Sequence, residues 1–131
     1  MSKLIQANIQ QTSELAKTIA KNLKGGEIFA LVGPLGSGKT TLVKKVGQQL
    51  KISKKITSPT FALMHRFQAG KKNKKFFVYH LDLYRTNSYK EVEALGITEF
   101  WGKPDSVTFI EWADKIKKYL PKKTITIKLV S

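Results

Sequence analysis

The sequence contains no cysteine, only two arginines and no long uncharged stretch. The lack of cysteine excludes disulfides, thiolate catalysis and zinc sites built on thiolates. The longest stretch without a charged residue, Ile28–Gly38, has eleven residues, whereas a membrane-spanning helix needs about twenty. The first residues also lack the apolar core of a signal peptide. The sequence therefore predicts a cytoplasmic protein without membrane contact.

Acidic residues are scarce as well, because only 9 of them oppose 24 lysines and arginines, and the net charge is +15. A charge of this size is typical of proteins that contact polyanions such as nucleic acid. However, only Arg66 and Arg85 are arginines, and arginine is preferred for base readout and bidentate phosphate contacts. An AT-rich genome also favours lysine codons, so the composition leaves both explanations open.

The chain of 131 residues has the size of one domain, which we expect to span residues 1–131. Leu15, Ile19 and Leu23 recur every four residues and predict an amphipathic helix that Thr12 caps. Strands are expected at Leu4–Ile9, Glu27–Val32, Phe61–Phe67, Phe76–Leu83, Val107–Ile110 and Lys122–Val130. The alternation of polar and apolar residues in the last of these suits an outer antiparallel strand.

One segment matches G-x-x-x-x-G-K-[ST] at every fixed position, and it consists of Gly33, Pro34, Leu35, Gly36, Ser37, Gly38, Lys39 and Thr40. It lies between a predicted buried strand and a predicted helix, as a phosphate-binding loop requires. Its glycines let backbone N–H groups turn towards phosphate oxygens, and the helix directs its positive end to the same place. Lys39 is expected at the β- and γ-phosphates, Thr40 at Mg²⁺ and Thr41 at the α-phosphate. The motif predicts a P-loop NTPase-like three-layer α/β/α fold with a mixed, mainly parallel central sheet.

Such a site also needs carboxylates near the metal and a group that orients water. Asp82 ends the predicted strand Phe76–Leu83, and Glu111 directly follows Val107–Ile110. Acids at the carboxyl ends of buried strands lie where a metal site forms. We therefore predict that both lie near Mg²⁺, and Glu111 is a candidate either for the catalytic base or for a metal ligand.

Four other kinds of side chain are candidates for the same site. Ser58 and Thr60 lie in a loop after the P-loop helix, where related switches carry a hydroxyl that senses the γ-phosphate; a local proline turn is the alternative. His80 shares a strand face with the aspartate two residues on, so it either contacts the site or supports that carboxylate. Trp112 is either a core residue or a ring near the nucleotide. Arg85 is the best cation for transition-state charge, or forms a structural ion pair.

Together these segments resemble the TsaE family of small bacterial P-loop ATPases. The match covers nearly the whole chain and consists of Gly33–Thr41, Ser58–Phe61, His80–Arg85, Glu91, Leu95–Gly96 and Ile110–Asp114. The resemblance implies a role in forming threonylcarbamoyladenosine on tRNA, at the adenosine beside the anticodon. It further implies ATP and Mg²⁺ as cofactors and the TsaB–TsaD pair as partner, whose machinery ATP hydrolysis resets between turnovers.

The resemblance also assigns roles to individual residues. It implies that Lys39 binds phosphate, that Asp82 supports the metal and that Glu111 is the catalytic carboxylate or a metal ligand. Thr60 would belong to a switch-like loop with a catalytic contribution. Trp112 would lie near the nucleotide and contribute to its binding.

Two other functions remain open on the sequence. A small-molecule kinase also uses a P-loop and an acid, but it usually adds an acceptor pocket and an arginine-bearing lid, for which this chain has little room. A non-catalytic nucleotide switch or RNA-binding module is the other alternative. Lys71–Lys75, followed by Phe76 and Phe77, could contact tRNA or form a solvated hairpin tip.

Overall fold

The computed structural model describes residues 4–52, 64–69, 76–86, 88–94 and 96–130. The strands are β1 (Leu4–Asn8), β2 (Ile28–Val32), β3 (Met64–Ala69), β4 (Phe76–Asp82), β5 (Ser106–Glu111) and β6 (Ile125–Val130). The α-helices are α1 (Thr12–Asn22), α2 (Lys39–Gln49) and α3 (Tyr89–Ala94), and 3₁₀ helices cover Ile9–Gln11, Ile97–Phe100 and Ala113–Tyr119. Within these ranges, no helix combines the length and the apolar character that crossing a membrane requires.

The strands form one sheet in the order β1-β6-β2-β5-β4-β3. Every neighbouring pair is parallel except β3 and β4, which are antiparallel. The predicted mixed, mainly parallel sheet is therefore confirmed. Because β2, β5 and β4 run in the same direction side by side, their carboxyl ends meet at one edge of the sheet, where ligands bind in open α/β sheets.

The prediction that the last strand is outer and antiparallel was wrong. β6 lies between β1 and β2 and is parallel to both. Its alternation has another cause, because Ile127 and Leu129 are buried in the core while Lys128, between them, is exposed on the opposite face. An inner strand with polar residues on one of its faces produces the same alternation as an edge strand, and only the pairing partners distinguish the two positions.

Helices cover both faces of the sheet, which confirms the three-layer architecture. On one face, α1 and α2 pack over a cluster that includes Phe29 and Phe109, whose rings stack with centroids 5.1 Å apart. On the other face, a second cluster joins strand residues such as Tyr79 and Ile110 to Val92 of α3 and to Ile116 of the last 3₁₀ helix. The layers hold the ends of β2, β4 and β5 in fixed register.

The start of α1 differs from the prediction that Thr12 caps it. Asn8 caps the preceding 3₁₀ turn by accepting a hydrogen bond from the N–H of Gln11 (3.1 Å). Thr12 is the first residue inside the helix, and its hydroxyl donates to the carbonyl of Ile9 (2.7 Å). The same hydroxyl accepts a hydrogen bond from Lys45 Nζ (2.9 Å), which ties α1 to α2.

Candidate functional site

The glycine-rich loop joins β2 to α2, as the motif predicted. Gly33, Gly36 and Gly38 have φ values of 149°, 77° and 104°, a region that side chains with a Cβ rarely adopt. Gly38 directly precedes α2. The loop therefore brings the N-terminus of α2 to the carboxyl edge of the sheet, and the positive end of a helix favours anions.

We expect a Gly33→Ala substitution to destabilise the fold by about 2–3 kcal/mol. A Cβ at Gly33 would lie 2.4 Å from the carbonyl oxygen of Leu129 in β6, so the loop would have to move away from the sheet. Gly36→Ala is the matched control, since its Cβ would meet nothing within 4 Å and only the backbone cost of about 1 kcal/mol remains. Urea unfolding measures both, and equal losses would contradict the steric argument.

A cavity of about 340 Å³ opens beside the loop at the carboxyl ends of the strands. Its wall includes most of the predicted site residues and consists of Ile9, Leu35, Gly36, Gly38, Lys39, Thr40, Thr41, Asp82, Tyr84, Glu111 and Trp112. Gly33 and Pro34 instead face Lys39 through their carbonyl groups. The Ser37 side chain is buried and does not line the cavity.

Lys39 is almost fully buried at the base of this cavity, with 5% of its surface exposed. Its Nζ donates hydrogen bonds to the carbonyls of Gly33 (2.6 Å) and Pro34 (2.9 Å) and lies 4.1 Å from the ring centroid of Trp112. Burial lowers the pKa of the Lys39 ammonium, and the nearby carboxylate of Glu111 opposes this shift. A largely buried ammonium at the wall of a cavity is a favourable partner for phosphate oxygens.

Glu111 lies at the centre of a hydrogen-bond network that crosses three elements. It is the last residue of β5 and only 3% exposed. The hydroxyl of Thr40, on α2, lies 2.9 and 2.8 Å from its two carboxylate oxygens. His80 Nε2, on β4, lies 2.5 Å from Glu111 Oε2. The sequence predicted that His80 either contacts the site or supports Asp82, and the structure shows that it forms a hydrogen bond with Glu111.

Asp82 is paired in register with Glu111 across β4 and β5, and it lines the cavity half-buried. Its Oδ1 accepts a hydrogen bond from the N–H of Tyr84 (3.0 Å). Burial raises the pKa of the Asp82 carboxyl; the Tyr84 hydrogen bond opposes this, and the charge of Glu111 adds to it. The two carboxylates therefore form a compact negative region that a cation would stabilise.

Trp112 turns the chain away from the cavity after β5. It has a φ of 59° and a ψ of 35°, a left-handed conformation that costs about 1–2 kcal/mol in a residue with a Cβ. Its backbone N–H donates to the carbonyl of Leu31 (3.1 Å), and its ring packs on the ring of Tyr84 with centroids 5.0 Å apart. The 3₁₀ helix Ala113–Tyr119 follows, and Ile116 interrupts it with non-helical angles.

The donor set fits Mg²⁺ by its chemistry. Mg²⁺ prefers oxygen ligands, and proteins usually hold it with one or two carboxylates, a hydroxyl and substrate phosphates. A hydroxyl that donates its proton to Glu111 keeps oxygen lone pairs for a metal. In the described part of the chain, no three His, Asp, Glu or Cys side chains form a metal cage by themselves, so phosphate and water oxygens would have to supply the remaining ligands.

Several predicted residues are not part of this arrangement. Ser58, Thr60 and Lys71–Lys75 lie outside the described residues, so their roles stay predictions. Arg85 is exposed and does not line the cavity. In turn, sequence reasoning missed Tyr84 and Ile9. Tyr84 lies two residues after Asp82 and could have been found there, whereas nothing in the local sequence connects Ile9 to the P-loop.

Comparison with known proteins gives a consistent result. The family model described as "Threonylcarbamoyl adenosine biosynthesis protein TsaE" matches residues 6–131. A protein of Synechocystis sp. named tRNA threonylcarbamoyladenosine biosynthesis protein TsaE is 37% identical over 112 residues, which is 83% of this chain and 68% of that protein.

Two further relatives carry the same name. The Bacillus subtilis protein is 34% identical over 92% of this chain and 72% of its own length. The Treponema pallidum protein is 31% identical over 97% of this chain and 90% of its own length. The family model's range, residues 6–131, includes the glycine-rich loop, the strands that carry Asp82 and Glu111, and the last strand. This chain therefore belongs to the TsaE family.

Proposed function

We propose that this protein binds ATP with Mg²⁺ and hydrolyses it in support of threonylcarbamoyladenosine formation on tRNA, in the cytoplasm and together with TsaB–TsaD. The relatives are named for threonylcarbamoyladenosine biosynthesis on tRNA, which supports the process. The cavity supports the activity, because its groups have the chemistry that a nucleoside triphosphate and its metal require.

One observation carries the proposal: Lys39, Thr40 and Glu111 meet in one cavity at the N-terminus of α2. Lys39 would neutralise charge on the terminal phosphates, while the backbone N–H groups of the loop bind phosphate oxygens. Mg²⁺, when bound, would neutralise further charge on the β- and γ-phosphates, and Thr40 and Asp82 are the residues that would hold it. Glu111 would orient or deprotonate the water that attacks the γ-phosphoryl group.

The charges that line the cavity also support the proposal that the isolated chain hydrolyses ATP slowly. Lys39 is the only cationic side chain among the described residues that line it, and it stands against the carboxylates of Asp82 and Glu111. Phosphoryl transfer spreads negative charge over the equatorial oxygens, and a cation contributed by a partner is worth about 10³- to 10⁵-fold in rate. We therefore propose that TsaB–TsaD raises the turnover.

The test is ATP hydrolysis by the purified protein, alone and with saturating TsaB–TsaD. We expect slow turnover alone and an increase of at least about 100-fold with the partners. Turnover that the partners leave unchanged would contradict the proposed complex. Transfer of phosphate from ATP to a metabolite would instead point to the kinase alternative.

A nucleotide switch that does not hydrolyse ATP is the second candidate. It is favoured by one contact: both carboxylate oxygens of Glu111 already lie within hydrogen-bond distance of Thr40, and one of them also contacts His80. A carboxylate held in this way has less capacity to accept a proton from water. Tight, Mg²⁺-dependent ATP binding without turnover under any condition would support this candidate.

An Asp82→Asn substitution is expected to stabilise the empty protein slightly and to weaken Mg²⁺-dependent nucleotide binding about 10-fold. Burial raises the pKa of the Asp82 carboxyl, so the folded state disfavours its charge. Removal of that charge should therefore raise the melting temperature by about 1–3 °C at neutral pH. Because a raised carboxyl pKa costs stability only where the group is ionised, the difference should shrink as the pH falls through that pKa towards the ordinary value of 3.8.

Thermal melts across pH and nucleotide titrations with and without Mg²⁺ measure both effects. Asp105→Asn is the control, because Asp105 is exposed in the turn before β5 and does not line the cavity. A melting temperature of Asp82→Asn that falls at neutral pH would contradict the electrostatic argument.

A further inference from the structure

His80 is a polar residue in the buried part of β4, which consists of residues 78–81. It has no exposed surface, and its neighbours in β4, Tyr79 and Leu81, belong to the core on the other face of the sheet. Burying an imidazole costs free energy unless the ring forms hydrogen bonds. A leucine or phenylalanine would fill the same space without that cost, so packing alone does not account for a histidine here.

The hydrogen bonding of the ring is directed at one group. Nε2 lies 2.5 Å from Oε2 of Glu111, whereas Nδ1 has no hydrogen-bond partner in the part of the chain that the structure describes. A carboxylate only accepts hydrogen bonds, so Nε2–H is the donor. His80 therefore forms its one described hydrogen bond with the candidate catalytic carboxylate.

We propose that His80 is a positioning residue that fixes the orientation of Glu111 towards Thr40 and the metal site. The inference rests on the proposed function, because the orientation of Glu111 matters only if the cavity binds nucleotide and Mg²⁺. A glutamate side chain has several rotatable bonds, and two anchors on different elements restrict it more than one. Thr40 holds the carboxylate from α2, and His80 holds it from β4.

Two variants separate this role from packing. His80→Leu removes the donor and keeps a buried apolar side chain, while His80→Gln offers an amide N–H that can reach Glu111 in place of Nε2–H. The matched control is His65→Gln. His65, on β3, is paired in register with His80 on β4, and its ring lies edge-on to Phe67. It is therefore a histidine of the neighbouring strand that does not line the cavity.

The first readout is spectroscopic and needs no activity. The chain contains only two histidines, so the histidine ring resonances in an NMR spectrum are assigned by substituting one of them. We expect one ring N–H to be protected from exchange and shifted downfield, to persist in His65→Gln and to disappear in His80→Leu and Glu111→Ala. A spectrum without such a resonance, or one in which Glu111→Ala leaves it unchanged, would overturn the proposal.

The second readout is ADP affinity measured with and without Mg²⁺. Loss of an anchor behind a metal-site residue typically costs about 10- to 100-fold in metal affinity or activity. In His80→Leu we therefore expect the gain in ADP affinity that Mg²⁺ provides to fall by this factor. The ADP affinity without Mg²⁺ should stay nearly unchanged, and His80→Gln should restore part of the gain. Equal losses of ADP affinity with and without Mg²⁺ in both variants would show that His80 has a merely structural role. No loss of ADP affinity in His80→Leu would also overturn the proposal.

These readouts keep the two proposals separate. If the wild-type protein hydrolyses no ATP even with TsaB–TsaD, the proposed ATPase activity fails while the ring resonance and the Mg²⁺-dependent affinity still test His80. If ATP turnover is normal in His80→Leu, the positioning role fails and the ATPase activity stands. If the wild-type protein hydrolyses ATP, we expect His80→Leu to lower kcat about 10- to 100-fold.

Discussion

Replacing Lys39 by alanine is expected to weaken ATP binding about 10- to 100-fold and to reduce any turnover at least as much. Lys39 is almost fully buried, and its ammonium group contacts the carbonyls of Gly33 and Pro34 and the face of Trp112. It is therefore already desolvated, and a phosphate oxygen that replaces a carbonyl gains a full charge–charge contact. Hydrogen bonds to charged groups in such sites contribute about 1.5–3 kcal/mol each.

Isothermal titration with ATP and a phosphate-release assay measure both effects. Lys44→Ala is the matched control, because Lys44 belongs to the same helix but does not line the cavity. Lys39→Arg tests geometry as well as charge, since the larger planar guanidinium has to fit between two carbonyls and an indole ring. ATP affinity in Lys39→Ala that matches the control would show that phosphate does not bind at this loop.

A Glu111→Gln substitution is expected to lower the partner-stimulated ATP turnover by about 10²- to 10⁴-fold while ATP still binds. Glutamine preserves the shape of the side chain and can accept from Thr40, but it cannot take a proton from water. The substitution also removes the buried negative charge of Glu111, which favours the charged form of Lys39. The effect should therefore fall on kcat more than on nucleotide affinity.

The same variant separates the two roles that remain open for Glu111. If it acts on water, Mg²⁺ should strengthen ATP binding in Glu111→Gln as much as in the wild type; if it completes the metal site, that increment should fall with kcat. Asp114→Asn is the control, because Asp114 lies three residues on and is exposed on the last 3₁₀ helix. Unchanged turnover in Glu111→Gln would exclude both roles.

Much of the candidate site was predictable because its residues occur in short local patterns. The P-loop is one continuous segment, so its glycines, Lys39 and Thr40 could be identified without tertiary information. Asp82 and Glu111 end buried strands, and the rule that such ends meet at one edge placed them together before any distance was known. The structure brings these residues to the wall of one cavity.

The rest depended on contacts between segments that are distant in sequence. Ile9 approaches the P-loop at Gly38 because β1 adds to the sheet beside β6, and no local pattern encodes that neighbour. His80 donates to Glu111 rather than to Asp82 because β4 and β5 lie side by side, with Asp82 opposite Glu111 and His80 opposite Phe109. Strand alternation gave the face of His80 but not its partner.

By itself, the sequence determined the position of the glycine-rich loop, the two carboxylates at strand ends, the mainly parallel α/β fold and the resemblance to the TsaE family. These depend on local composition, periodicity and spacing, which the order of the residues states directly. Only the tertiary structure decided that β6 is an inner parallel strand and that Thr40, Glu111 and His80 form one network. Strand order and side-chain partners follow from which packing of the whole chain buries most apolar surface and satisfies most polar groups, and no single segment contains that information.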